Sequence, residues 1–145
     1  MKKLIVKIAA LFTIVLFATV SWGAESVTQS LQAGGQIQVL QMVWVTDSSG
    51  NLTATDTAYP IEGFLIMVET DPDSPTTLYD ITLKDANGLD VMGGALGDRS
   101  ATATEVTLPL MNGNYTMIPV YGTLSMDVTG AGNDESGTIR IYFVR

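Results

Sequence analysis

The side chains of this sequence that could do chemistry are carboxylates in loop-like segments. Asp85, Asn87 and Asp90 form the pattern D-x-N-G-x-D. Calcium takes about six to eight oxygen ligands, so closely spaced loop carboxylates could begin a calcium site. The EF-hand pattern does not fit, because its glycine is the sixth residue of the loop and Gly88 is the fourth counted from Asp85. In the alternative interpretation, Asn87 and Gly88 form a hairpin turn and the aspartates only solvate it.

The sequence contains no histidine and no cysteine. It therefore lacks the usual general base near neutral pH, which excludes Ser-His and Cys-His triads as well as ordinary zinc sites. Asp71 and Asp73, which flank Pro72, form a second acidic cluster that could also begin a calcium site. Paired carboxylates could serve a glycosidase, but any two of the 15 acids could meet in a fold, so no pair stands out. We expect a protein that is not an enzyme, with no cofactor and at most a calcium site at Asp85, Asn87 and Asp90.

Residues 1–23 have the composition of a secretory signal peptide. Lys2, Lys3 and Lys7 form a positive beginning, residues 8–20 are apolar, and Gly23 ends a segment where cleavage would leave small residues at −3 and −1. The alternative is an uncleaved anchor, but the apolar stretch is shorter than the roughly 20 residues of a spanning helix. The sequence predicts a secreted protein, extracellular or periplasmic, with no membrane association after cleavage.

The chain that remains after cleavage is strongly acidic. It keeps four cations against 15 acids, a net charge of −11. Such a surface repels nucleic acid backbones and anionic lipid, so nucleic acid is excluded as a partner.

The mature chain divides into a polar leader, residues 24–36, and a β domain, residues 37–145. The leader shows no clear period, and we predict that it is extended or flexible. Apolar alternation, β-branched residues and flanking turn residues predict eight strands, at residues 36–46, 61–70, 79–84, 89–92, 105–110, 115–119, 122–129 and 138–144.

Seven or eight short strands separated by turns predict an all-β fold, a single antiparallel β-sandwich of the immunoglobulin-like or jelly-roll-like kind. A closed outer-membrane barrel is the alternative, although its strands need about ten residues. Large apolar side chains are expected in the core rather than on a sugar-binding face, namely Trp44, Tyr59, Tyr79, Tyr115, Tyr121, Tyr142 and Met42, Met67, Met92, Met111, Met117, Met126.

The leader and the last strand, residues 138–144, suggest a function in assembly. A strand near a chain end is easily placed at a sheet edge, where it can pair with another chain. The partner would be a second copy, in a homo-oligomer or filament, or another surface protein. The alternative is an ordinary strand that pairs internally.

From Trp44 onward the order of elements resembles a family of small β-rich proteins encoded in phage and prophage structural regions. The resemblance covers about a hundred residues and depends on turns and core positions, among them Trp44-x-Thr46-Asp47-x-x-Gly50, Ile61-x-Gly63, Pro75-Thr76, Tyr79-Asp80-Ile81-Thr82-Leu83, Asp85-x-x-Gly88-x-Asp90-Val91, Gly94, Arg99, Gly122-Thr123-Leu124, Gly130-Ala131-Gly132 and Gly137-Thr138. It implies a virion-associated or accessory structural role and no catalytic residues. The secretory signal departs from that family, because phage structural proteins assemble in the cytoplasm.

The sequence thus predicts an exported, non-enzymatic structural or interaction domain that self-assembles through its leader or its edge strands. A secreted ligand-binding module that depends on calcium or a glycan is the alternative function.

Overall fold

The computed structural model describes residues 24–145, and the predicted signal peptide lies outside them. The described chain forms strands and no helix, which confirms the all-β class. No helix among these residues is long and apolar enough to cross a membrane. The strands are β1 (Ser26–Gln32), β2 (Ile37–Val45), β3 (Leu52–Asp56), β4 (Ile61–Pro72), β5 (Asp80–Lys84), β6 (Glu105–Thr107), β7 (Leu110–Met111), β8 (Asn114–Tyr115), β9 (Ile118–Gly122), β10 (Ser125–Thr129) and β11 (Ser136–Val144).

Two antiparallel sheets carry the fold and curl into a half-barrel, in agreement with the sandwich-like class that the sequence predicts. The large sheet has the order β1-β2-β11-β4-β6, and β9 pairs with β4 beside β6. The small sheet has the order β3-β10-β5, and β7 and β8 form a separate two-strand ladder.

The core lies between the sheets because each long strand buries alternate residues. In β11, Ile139, Ile141 and Phe143 point inward, and in β2, Met42 and Trp44 do the same. The strand β11 pairs with β2 on one side and β4 on the other. The C-terminal strand is therefore central in the large sheet, and the suggestion that it lies at an edge is wrong.

The predicted leader is part of the large sheet. Residues 26–32 form β1, which pairs with β2 over its whole length, so only the extended conformation of the prediction holds. The inward side chains Val27 and Leu31 are partly buried against the core. Gln29 lies between them and interrupts the apolar alternation, so residues 24–36 show no clear period.

Other differences arise where local hydrogen bonds compete with strand pairing. Residues 89–92, predicted as a return strand, form turns with one bridge between Lys84 and Asp90. The carboxylate of Asp90 accepts the N–H groups of Met92 and Gly94, and this draws the chain into a turn. The strand β3 was not predicted, because Leu52 is the one large apolar residue in its five-residue segment.

Only part of the large apolar side chains predicted for the core are there. Trp44, Tyr79, Met42, Met92 and Met126 are buried. A second group remains well exposed, and for these the prediction is wrong: Tyr59, Tyr115, Tyr121, Met111 and Met117.

Candidate functional site at the open sheet edge

The strand β1 forms one edge of the large sheet. Its seven residues pair with β2 without a break, from Ser26 opposite Val45 to Gln32 opposite Val39. No other strand among residues 24–145 pairs with its outer side. Half of the backbone N–H and C=O groups of β1 therefore point away from the sheet, where another strand could bind them.

The whole β1–β2 hairpin is free of charge. No Asp, Glu, Lys or Arg occurs from Ser26 to Thr46, although the protein has 15 acids elsewhere. The strand β1 also contains no proline, and its register with β2 has no bulge. Charges, prolines and bulges are the usual features that keep an edge strand from pairing. The edge of β1 has none of them.

Two side chains, one in β1 and one just before it, hold β1 against the small sheet. The Gln29 amide donates to the carbonyl of Asp56 at 2.9 Å and accepts from the N–H of Ala58 at 2.7 Å. The carboxylate of Glu25 accepts from the N–H of Thr53 at 2.5 Å. These bonds satisfy backbone groups at the edge of β3, so that edge of the small sheet is covered while the backbone of β1 stays open.

The remaining sheet edges are short or covered. The far side of β4 is shared by the three-residue β6 and by β9, which contains Pro119. The outer side of β5 is covered by the following loop, because Ile81 donates to Leu96 and Val91 donates to Leu83 through their backbones. In the described chain, β1 is thus the long edge without protection.

The outer face of the large sheet carries one polar cluster. Arg140 contacts Glu69 and also Asp71 at 3.3 Å, and the Tyr142 hydroxyl donates to Glu69 at 3.1 Å. The hydrogen bond from Thr104 and the Arg140 guanidinium hold the pKa of Asp71 below its usual value. Burial and the bond to Glu69 raise the pKa of Tyr142. Each carboxylate is occupied by a structural partner, so the cluster cross-links strands and offers no free acid–base pair.

The predicted calcium ligands are engaged within their own turns. The Asp85 carboxylate accepts the N–H groups of Asn87 and Leu89, both at 2.9 Å, and these bonds lower its pKa, that from Leu89 most. Asp90 accepts from the backbone as described above, and the Asn87 amide donates to Asp85 at 3.3 Å. Residues 24–145 contain no group of three or more His, Cys, Asp or Glu side chains that could hold a metal. A calcium site at Asp85, Asn87 and Asp90 stays a prediction.

The second predicted pair of loop acids is separated by the fold. Asp71 contacts Thr104 and Arg140, whereas Asp73 accepts from the Ser136 hydroxyl at 2.8 Å. The two carboxylates therefore bind different side chains and have no partner in common.

An open cleft of about 390 Å³ lies between the loop after β5 and the β7–β8 ladder. Val106, Leu108 and Tyr115 form exposed apolar walls, and Arg99 lies beside them. The guanidinium of Arg99 donates to the carbonyl of Gly97 and to the Thr107 hydroxyl, and its charge faces Glu105 at 3.7 Å. The guanidinium of Arg99 is thus largely used in contacts that stabilise the loop. A ligand in the cleft would mainly contact the exposed apolar walls.

Sequence reasoning pointed to the leader, residues 24–36, for assembly, but it missed that residues 26–32 form a strand paired with β2 whose outer edge is open. The absence of charge between residues 26 and 46 is the signal that could have found it. Comparison with protein families, with curated proteins and with solved structures found no match to this chain.

Proposed function

We propose that the mature protein is an exported, non-enzymatic structural domain that self-assembles by pairing strands along β1. The observation that carries this proposal is the open, uncharged and unbroken edge of β1. Strand addition at such an edge uses backbone hydrogen bonds, so it needs no catalytic or metal site.

The strength of the edge can be bounded from its length. Seven residues could add about seven interchain hydrogen bonds, together roughly 4–10 kcal/mol. Association costs about 4–15 kcal/mol of lost translational and rotational freedom. The two terms are similar, so the edge supports a weak, concentration-dependent complex. The assay therefore needs a dilution series from about millimolar to micromolar protein.

A charge placed on the edge tests the proposal. We expect the mature chain, residues 24–145, to sediment as an oligomer at high concentration and as a monomer after dilution. Thr28→Lys adds a charge to an exposed side chain of β1, and it should lower the association constant by about tenfold or more. Thr129→Lys is the matched control, because Thr129 is exposed on β10, which belongs to the small sheet and does not pair with β1.

Two results would overturn the proposal. One is a chain that stays monomeric at every concentration. The other is an oligomer that Thr28→Lys and Thr129→Lys weaken equally, which would place the contact elsewhere.

Ligand binding is the second candidate, and the cleft beside Tyr115 favours it. Tyr115 is 69 % exposed at an apolar wall, as in sites where a sugar ring stacks on an aromatic side chain. Retention of the mature chain on an immobilised polysaccharide, lost in Tyr115→Ala and kept in Tyr121→Ala, would support it. Tyr121 is the control because it is also exposed but does not line the cleft. Equal retention of both variants would reject this site.

A further inference from the structure

We infer that the strand bound by β1 is β1 of a second copy, placed antiparallel about a two-fold axis that passes midway between the Gln29 residues of the two copies. This inference rests on the proposed function and adds its partner, symmetry and register. Directly opposite residues of an antiparallel pair lie on the same face of the sheet. In β1, Val27, Gln29 and Leu31 face inward, and their neighbours in sequence face outward. Across an axis perpendicular to the sheet, one residue must therefore lie opposite its own copy, and not opposite the copy of its neighbour in sequence.

The side chains select which residue lies on the axis. With Gln29 at the centre, all seven residues of β1 are paired, Val27 lies opposite Leu31 of the second copy, and Thr28 lies opposite Ser30. With Thr28 at the centre, the charged Glu25 would lie opposite Leu31. With Ser30 at the centre, the Gln29 amide would lie opposite Leu31. Among the registers that pair five or more residues of β1, only the Gln29 register places Val27 and Leu31 opposite each other, and cross-strand pairs of this kind stabilise a sheet.

Electrostatics favour the same arrangement. Each mature copy carries a net charge of −11, so two copies repel each other over most of their surface. The uncharged residues 26–46 remove that repulsion from the contact. In the Gln29 register the two Glu25 side chains lie at opposite ends of the paired strands, about 26 Å apart along the strand direction. This separation exceeds the screening length of about 8 Å at physiological ionic strength.

The pairing closes on itself. Both copies use the same edge, so the contact is isologous, and it stops at a dimer unless another edge takes part. The other edge of the large sheet is divided between the short β6 and β9. The dimer would hold one continuous sheet that runs through both copies.

Engineered cysteines test the register, and the protein has no cysteine of its own to interfere. Opposite residues have Cα atoms about 4.5–5.5 Å apart, which a disulfide can span, whereas a diagonal pair at about 7–8 Å exceeds that reach. We expect a mixture of Thr28→Cys and Ser30→Cys chains to form a disulfide-linked dimer under mild oxidation. Each variant alone should form about tenfold less. Both side chains are exposed, so the substitutions should leave the fold intact.

The outcomes separate this inference from the proposed function. Thr129→Cys, alone or mixed with Thr28→Cys, is the control for random collision. Thr28→Cys chains that link most readily to themselves would overturn the register in favour of an axis at Thr28. An oligomer that Thr28→Lys dissociates, but in which positions 28 and 30 do not link, would overturn the two-fold register while self-assembly stands. A monomer in sedimentation would refute both.

Discussion

Gly137 sets the space that Trp44 occupies in the core, and replacing it by alanine should destabilise the fold. The two residues lie opposite each other in the β11–β2 ladder. A Cβ at position 137 would lie 2.5 Å from Cζ2 and 2.9 Å from Cε2 of Trp44, and 3.2 Å from the carbonyl oxygen of Asp71. The indole is fully buried, and its ring centre lies 5.4 Å from that of Tyr79. It cannot move away without disturbing other core residues.

Two opposing terms set the size of the effect. Overpacking a dense core costs about 1–3 kcal/mol. Gly→Ala returns about 0.4–1 kcal/mol by restricting the unfolded chain, and the backbone of Gly137 does not have a positive φ that would forbid alanine. We expect Gly137→Ala to lower the free energy of unfolding by about 1–2 kcal/mol. For a domain of this size the melting temperature should fall by roughly 4–8 °C.

Thermal melts followed by far-ultraviolet circular dichroism measure this change, and a double-mutant cycle assigns it. In a Trp44→Phe background the smaller ring leaves room for the methyl group, so Gly137→Ala should cost less than about 0.5 kcal/mol there. Gly35→Ala is the matched control, because a Cβ at Gly35 would meet nothing within 4 Å. A wild-type melting temperature for Gly137→Ala, or an equal cost in both backgrounds, would refute the proposed contact.

Four further predictions concern the titration of Asp85, the titration of Tyr79, calcium binding and export. Because the pKa of Asp85 is lowered from its usual value of 3.8, its ionised carboxylate stabilises the folded state at pH values above 3.8. Asp85→Asn should therefore have a lower melting temperature than the wild type at pH 7, and the difference should vanish as the pH falls through the pKa of Asp85 in the folded state. A difference that stays constant with pH would contradict this. Burial, and next the charge of Glu105, raises the pKa of Tyr79 to about 12. The contribution of Tyr79 to stability should therefore be lost as the pH rises from about 10. Between pH 9 and 11 the melting temperature of Tyr79→Phe should fall less than that of the wild type. An equal fall in both proteins would count against this role of Tyr79. Because Asp85 and Asp90 already accept backbone N–H groups, calcium should leave the melting temperature unchanged, and a rise abolished by Asp90→Asn would instead establish the site. We expect export and cleavage after Gly23, so the intact mass of the protein recovered outside the cytoplasm should correspond to a chain beginning at Ala24. A mass that includes residues 1–23 would contradict this.

The strands that could be predicted from the sequence are those in which alternation and burial agree. In β11 the inward residues are apolar or glycine, so its period of two is visible in the sequence alone. The strands β1 and β3 lack this agreement. The inward Gln29 is stabilised by hydrogen bonds to Asp56 and Ala58, which lie 27 and 29 positions further along the chain. Such long-range partners leave no local pattern in the sequence. For the same reason, the sequence did not reveal the outer edge of β1 as the candidate site, because that edge exists only once β1 has paired with β2.

For a related reason, the spacing of the loop carboxylates alone could not distinguish a calcium site from a turn. Asp85 and Asp90 stand at the spacing of potential ligands, but each carboxylate accepts N–H groups two and four residues ahead. An aspartate at the start of a tight turn commonly makes these bonds. A spacing that suits a metal therefore also suits a turn, and only the direction of the carboxylates distinguishes the two.

The charge distribution complements the open edge of β1, because it disfavours contacts between copies in other orientations. A uniformly acidic surface would keep copies apart, whereas an open uncharged edge on a neutral protein would pair with many strands. In this chain the acids lie outside residues 26–46, so approach in other orientations brings like charges together while approach along β1 does not. Unfavourable alternatives confer specificity on a contact whose own hydrogen bonds are not specific. Because salt screens repulsion between like charges, raising its concentration should strengthen contacts elsewhere, which Thr28→Lys does not weaken, more than it strengthens the uncharged β1 contact. A salt-induced loss of association would show that attraction between charges, and not their absence, holds the copies together.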